Sequence, residues 1–257
     1  MQPVDSKDLT YIMFCYREDA DAIIDDPPEL PFIVDDSAAR KNIARTMSTR
    51  SLKYDIYREL TMVSMLTSTT GGMDHDVTHV FNCADLEPEE SEERADCGLL
   101  SFNRVVNIYP SERELVEKVC NLMVSSLDEF DTGEVLGSGK FVGWQLGVTF
   151  MPMLVNKALS YGVKAPRSIR SNPFRKYSTV DVAIDLANIY SQGVGYQMRP
   201  LPSLGDTLKF WNPEIGTDLR PIHEFSGLVC EDSDKAKSES EKYLLAMKSA
   251  TERYLNH

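Results

Sequence analysis

Several short runs of apolar residues in the first half of the chain are typical of buried strands. LTYIMFCY (9–16), LTMVSMLTS (60–68) and VTHVFNCA (77–84) are rich in aliphatic, aromatic and sulfur-containing side chains. Because the first run has almost no polar position, we predict that it is buried on both faces of a sheet. RVVNIYP (104–110) predicts a further, shorter strand.

The second half alternates predicted helices with predicted strands. Ser111 and Glu114 have the spacing of a capping box, and apolar residues then recur at helical intervals. Pro152 and Gly162 mark the beginning and the end of another helix, and Ser203 is placed to cap a third. In chain order we predict helix 111–130, strand 140–144, helix 151–162, a strand-to-helix passage over 178–190, helix 202–211, an irregular stretch over 212–232 and helix 233–256.

This order of elements predicts the fold class. Contiguous strands followed by alternating helices and strands favour an α/β fold with a central mixed sheet and helices on both sides. The chain of 257 residues then forms one domain, 1–257. Two acidic stretches, near 18–37 and 85–98, are interpreted as surface insertions into this domain rather than as linkers between two domains.

Charge narrows the range of partners. The chain has 27 Lys and Arg against 40 Asp and Glu, a net charge of −13, so its long-range field repels nucleic acids and anionic membranes. Because the sequence contains no run of about 18 apolar residues, we also expect no membrane span. A local basic patch still allows nucleic-acid binding.

The five cysteines carry information about the compartment. They are scattered without CxxC spacing, and their number is odd. This pattern favours free thiols in a reducing compartment, which predicts the cytoplasm, or the host cytoplasm if the protein is viral.

Two polar clusters have the composition of functional sites. DHDVTH (74–79) combines two histidines with two aspartates, which are metal-ligand types, but it follows Gly71-Gly72. We therefore favour a hairpin turn with exposed polar side chains. Asp181 and Asp185 lie four residues apart, and we favour capping or surface roles for them. The sequence has no GxSxG, Walker or GxGxxG motif.

A longer pattern in the second half carries a family resemblance. Residues 141–163 read FVGWQLGVTFMPMLVNKALSYGV, and DVAIDL (181–186) and RPLPSLGDTLKF (199–210) follow. The chain resembles the tyrosine subgroup of DEDD-type 3′–5′ exonucleases, nearest to predicted exonucleases similar to the proofreading domain of family-B DNA polymerases. The resemblance covers nearly the whole chain and implies a ribonuclease H-like fold.

Members of that family bind two divalent metal ions through four acidic side chains, which neutralise charge during phosphodiester cleavage. At the positions of the first motif this chain has Cys15 for the aspartate and Arg17 for the glutamate. Phe150 stands at the aspartate of the second motif, and Met247 stands at the last aspartate of the third. Tyr243, which the resemblance implies would orient the attacking water, is retained.

The resemblance thus implies a pseudoenzyme, with no catalytic residue, no bound metal and no cofactor. Arg17 alone would repel a divalent cation by roughly 8 kcal/mol at about 4 Å in an effective dielectric near 20. We expect a protein-interaction or scaffolding module, for example within a nucleic-acid-processing or viral assembly. Its protein partner would dock on the former cleft, which Met151, Met153 and Met247 would make apolar and adaptable.

Two alternatives stay open. The basic loop 165–177 interleaves cations with aromatic residues, a composition that grips phosphates and stacks bases. Nucleic acid would then be bound by Arg167, Arg170, Arg175 and Lys176. The other alternative is a residual metal-dependent exonuclease, which would have to recruit carboxylates from Glu18, Asp19 or Asp181.

Overall fold

A seven-stranded sheet forms the centre of the protein. The computed structural model describes residues 9–18, 57–68, 74–97, 100–128, 140–165, 179–181, 183, 203–211 and 219–255. Its strands are β1 (Leu9–Glu18), β2 (Arg58–Ser68), β3 (Asp74–Asn82), β4 (Glu89–Cys97), β5 (Leu100–Tyr109), β6 (Lys140–Gly143) and β7 (Thr179–Asp181). Their spatial order is β4-β5-β3-β2-β1-β6-β7.

The sheet is mixed. β1, β2 and β3 form an antiparallel meander, and β4 pairs antiparallel with β5. β5 runs parallel to β3, while β6 runs parallel to β1 and β7 parallel to β6. The parallel neighbours require crossover connections, and a helix lies between β6 and β7 as such a connection needs. The prediction of an α/β fold with a mixed sheet is therefore confirmed.

Helices cover both faces of this sheet. They are α1 (Glu112–Asp128), α2 (Met151–Tyr161), α3 (Leu204–Trp211), α4 (Phe225–Glu231) and α5 (Ser233–Leu255). One core cluster joins α1 and α2 to one face, and a second joins α3, α4 and α5 to the other. In β1, Ile12 and Phe14 belong to the first cluster, whereas Met13 and Cys15 belong to the second. The prediction that this strand is buried on both faces is confirmed.

The predicted helix termini are also present. Ser111 Oγ accepts a hydrogen bond from the Glu114 N–H at 3.4 Å, and Ser203 Oγ accepts one from the Asp206 N–H at 3.0 Å. α2 ends at Gly162, whose φ of 68° lies in the left-handed region that favours glycine. Caps depend on a few neighbouring residues, which is why local sequence predicted them.

Two predicted irregular stretches contain regular structure. The acidic stretch 85–98 includes β4, the edge strand of the sheet, and the stretch 212–232 includes α4. The charged residues of β4 are mostly exposed, so its composition is that of a loop although its backbone pairs with β5. α4 has only seven residues: its buried Phe225, Leu228 and Val229 have helical spacing, but the stretch is too short for the pattern to predict a helix.

Candidate functional site

Three of the five positions expected in the former cleft lie in the core between the sheet and α5. Cys15, Tyr243 and Met247 belong to one cluster and are at most 4% exposed. Burial raises the pKa of the Cys15 thiol well above its usual range, because a thiolate there would lose its hydration. Cys15 is thus a neutral packing residue.

The other two positions occupy different surroundings. Phe150 lies in the core on the opposite face of the sheet, where its ring stacks on Phe14 with 4.6 Å between centroids. Arg17 lies near the end of β1 with 69% of its side chain exposed and pairs with Glu59. The five positions therefore do not line one apolar cleft.

These residues do not fit a pair of divalent metal ions. Hard cations such as Mg²⁺ take carboxylate and carbonyl oxygens, whereas the motif positions hold a thiol, a guanidinium, a phenyl ring and a thioether. The nearest carboxylate on β1, Glu18, pairs with Arg58 at 3.1 Å between Oε2 and Nε. Glu59 accepts from Arg17 and, at 2.9 Å, from Asn82 Nδ2.

An open hollow of about 660 Å³ lies beside these ion pairs, at the end of β1. It is formed where the end of β1, the beginning of β2, the first turn of α1 and the last turns of α2 meet. Its walls are Arg17, Glu18, Tyr57, Arg58, Glu59, Glu112, Lys157 and Tyr161. The sequence indicated only Arg17 and Glu18 of this lining, because these residues come from four separate segments with no shared motif.

Glu112 is the central acid of this hollow. Its Oε1 accepts a hydrogen bond from the Leu60 N–H at 2.7 Å, and its Oε2 accepts one from Lys157 Nζ at 3.0 Å. Tyr161 also donates its hydroxyl proton to Oε2, and burial together with this bond raises the pKa of the tyrosine. One buried carboxylate thus connects β2, α1 and α2.

The cations of the hollow are paired inside it. Lys157 donates to the carbonyl oxygen of Arg58 as well as to Glu112. The buried Arg58 side chain lies 5.6 Å from the centroid of the Tyr16 ring, and its Nε contacts Glu18. Because three cations face three carboxylates, the hollow has little net charge and offers hydrogen bonds rather than a strong field.

A second polar network lies inside the core between β3 and α5. His75 and His79 are buried in β3, so the prediction of an exposed hairpin turn at 74–79 is wrong. The reason is strand pairing: the histidines share a face of β3 with the core residues Val77 and Phe81, and they alternate with the half-buried Asp76 and Thr78. The glycines and aspartates in this part of the sequence indicated a turn, and they gave no information on which residues of β3 face the core.

His79 is hydrogen-bonded at both ring nitrogens. Its Nε2 lies 3.3 Å from Glu241 Oε1, and its Nδ1 lies 2.9 Å from Ser64 Oγ. Since a carboxylate only accepts, the neutral ring donates from Nε2, and Ser64 donates to Nδ1. Burial lowers the pKa of His79 against the opposing effect of Glu241. Arg104 completes the network with two bonds to Glu241, 2.5 Å from Nε and 2.8 Å from Nη2.

This serine–histidine–glutamate chain has the residue types of a nucleophilic triad, but Ser64 is fully buried. The core encloses the hydroxyl, so no substrate reaches it. We therefore assign the network a structural role: it holds α5 against β2, β3 and β5 through satisfied polar contacts.

Several predicted site residues lie outside the described residues. Arg167, Arg170, Arg175 and Lys176 of the basic loop are among them, as are Asp19 and Asp185. Asp181 is the last residue of β7 and pairs with Gly143 through the backbone register. The nucleic-acid interpretation of the loop stays a prediction.

The cysteines depart from the prediction of five free thiols. Cys83, directly after β3, and Cys230, in α4, form a disulfide between residues 147 positions apart in sequence. Cys15 and Cys120 are free and buried. Scattered spacing concealed the pair because α4 brings Cys230 to the sheet only in three dimensions. The compartment stays a prediction.

No helix in the described part of the chain is long and apolar enough to cross a membrane. Comparison with protein-family models gives no match for this sequence, and neither does comparison with the curated proteins.

Proposed function

We propose that this protein is a catalytically inactive relative of the DEDD exonucleases, with a ribonuclease H-like fold, that acts as a protein-binding or scaffolding module. The mixed sheet supports the proposal, because an antiparallel meander followed by parallel β-α-β connections, with helices on both faces, is compatible with that fold. A helix that begins at Met151, directly after Phe150, is compatible with the second motif of the resemblance and supports the proposal.

The surroundings of the motif positions are the observation that carries the proposal. Phe150 and Met247 are buried apolar residues on opposite faces of the sheet, and Cys15 is a buried neutral thiol. Arg17 places a cation near the end of β1. These positions hold no carboxylate and do not converge on one point, which supports a protein without two-metal chemistry.

The charged hollow is the surface that we propose for the partner. It lies at the end of β1, next to the motif positions, and is open to solvent. It presents the exposed Arg17 beside Tyr57, and arginine and tyrosine are frequent anchors of protein interfaces. The strongly acidic chain disfavours a polyanion as the main partner. We expect the partner's surface to present both acidic and basic side chains that form hydrogen bonds.

A nuclease assay tests the loss of catalysis. Purified protein is incubated with end-labelled single-stranded DNA and RNA in Mg²⁺ or Mn²⁺, beside a mock preparation. We expect no 3′ shortening above the mock. Shortening that exceeds the mock and disappears in the triple variant Glu18→Gln, Asp19→Asn, Asp181→Asn would instead support the residual exonuclease.

A binding experiment separates the protein partner from nucleic acid. Wild type and Arg17→Glu are used as baits in native lysate, and captured proteins are identified by mass spectrometry. We expect a partner that the wild type retains and the variant loses. Salt-titrated gel shifts supply the opposing result: steeply salt-dependent binding that disappears when Arg167, Arg170, Arg175 and Lys176 are replaced by serine would favour the nucleic-acid binder.

A further inference from the structure

A second site, which shares no residue with the hollow, is formed where the disulfide connects β3 to α4. The Cys83 and Cys230 sulfurs and a carboxylate oxygen of Asp85 all lie within 4.8 Å of one another. Asp85 has no hydrogen-bond or ion-pair partner within the described ranges. Two sulfur donors and one oxygen donor of this kind are the ligand types that zinc accepts.

The backbone around these donors is well ordered by hydrogen bonds. Cys83 N–H donates to the Tyr109 carbonyl at 3.0 Å, and Leu86 N–H donates to the Cys83 carbonyl at 3.3 Å, which closes a turn over 83–86. This turn presents Cys83 and Asp85 two residues apart. Cys230 comes from α4, with 5.9 Å between the two cysteine Cα atoms.

We propose that the reduced protein binds one zinc ion through Cys83, Asp85 and Cys230. Zinc–sulfur bonds of about 2.3 Å and zinc–oxygen bonds of about 2.1 Å bring tetrahedral ligands to about 3.5–3.8 Å from each other, which small side-chain rotations reach from the observed separations. Cys83 is buried, whereas Asp85 and Cys230 are exposed, so solvent reaches the fourth coordination position.

The site requires reduction of the disulfide. A dithiol reductant transfers two electrons and two protons to the Cys83 and Cys230 sulfurs, which breaks the bond between them, and the reductant becomes a cyclic disulfide. Zinc binding then releases those two protons, because thiolates are the metal ligands. The same two elements, β3 and α4, are thus joined by a covalent bond in one redox state and by a metal ion in the other.

Cobalt titration tests the site, because Co²⁺ bound by thiolates gives a charge-transfer band that zinc removes when it displaces the cobalt. We expect one Co²⁺ per reduced chain, no band in the oxidised chain, and loss of the band in Cys230→Ser. Asp85→Asn should weaken binding at least about tenfold, since loss of an outer partner alone costs about 10- to 100-fold. Glu87→Gln, which changes an exposed acid two residues away, should leave the affinity unchanged.

Opposite results would overturn the proposal. No band in a folded, fully reduced chain with cobalt in excess excludes the site, and so does a band that persists in Cys230→Ser or is unaffected by Asp85→Asn. Circular dichroism of each variant checks folding, and Cys83→Ser replaces Cys230→Ser if the latter does not fold. The outcome of the cobalt titration does not affect the outcome of the nuclease assay. The zinc site can therefore be disproved while the proposed function stands, and the reverse also holds.

Discussion

At the scale of residues, two buried carboxylates connect helices of this protein to its sheet. Glu112 and Glu241 each connect three elements, and each is buried against a cation, Lys157 or Arg104. Removing one member of such a pair leaves the other charged and buried without a partner. The loss in folding free energy is then larger than the stability that the intact pair contributes. Both positions therefore allow quantitative tests.

Glu112→Ala should lower the free energy of unfolding by about 3–5 kcal/mol, because the buried Lys157 ammonium would lose its counter-charge and the Leu60 N–H its acceptor. Urea titration followed by circular dichroism measures the change. Glu117→Ala, on an exposed position of the same helix, is the control and should change the free energy by less than about 0.5 kcal/mol. Equal effects of the two variants would show that the Glu112 contacts contribute little.

His79 predicts a pH dependence of stability. Its pKa is lowered in the folded protein by burial, so below the unfolded value of 6.5 the unfolded chain takes up a proton that the folded chain resists. The neutral His79 ring makes its full contribution to the free energy of unfolding above pH 6.5. That contribution is lost as the pH falls toward the pKa of His79 in the folded protein, and the free energy changes by up to about 1.4 kcal/mol per pH unit.

Thermal or urea unfolding of wild type and His79→Gln between about pH 7.5 and pH 5 tests this slope. The difference in the free energy of unfolding between the two proteins should shrink as the pH falls. Ser64, Ser240, Glu241, Arg104 and Lys237 face or bias the ring and are unchanged in both proteins. Parallel curves over this range would contradict the prediction.

At the scale of elements, two helical segments end at or contain glycines whose backbone requirements differ. α2 stops at Gly162 in a left-handed conformation, and α4 has Gly227 inside its only two turns. The same substitution at these two glycines should have opposite effects. One glycine is required by its backbone, and the other is a weak point in a helix.

Gly162→Ala should destabilise the protein by about 1 kcal/mol, because a Cβ is unfavourable at a φ of 68° even though no atom lies within 4 Å of it. Gly227→Ala should stabilise it by about 0.5–1 kcal/mol, since its Cβ would meet only Glu231 Oε1, at 3.7 Å. Midpoints of urea unfolding at constant slope measure both. A loss of stability in Gly227→Ala would contradict the assignment of α4.

At the scale of the whole molecule, one covalent bond connects the sheet to the last helical layer. Cys83 and Cys230 close a loop that spans 147 positions, and α4 leads directly into α5. A crosslink across so long a loop restricts the unfolded chain and raises the stability of the fold.

Without reductant, Cys230→Ser should lower the free energy of unfolding by about 2–4 kcal/mol relative to wild type. With a reductant and a metal chelator the two proteins should unfold at nearly the same temperature. Calorimetry under both conditions measures the difference. Equal stability without reductant, with no free-thiol signal lost in wild type, would show that the disulfide does not form.

The element order was predictable because it depends on local patterns. The apolar run of β1, the capping serines of α1 and α3 and the glycine at the end of α2 each lie within a few residues of the structure that they specify. β4 and α4 were missed for the same reason. β4 has the charged composition of a loop and is regular because it pairs with β5, whereas α4 is too short for its periodicity to be recognised and is stabilised by the core.

The sequence by itself determined the α/β class and the main helices, since short-range spacing carries that information. Tertiary structure alone decided that Cys15 and Phe150 face opposite cores, that Glu112 collects the groups of the hollow, and that Cys83 meets Cys230. These contacts join residues far apart in the chain, so their formation depends on how the sheet and its helical layers pack.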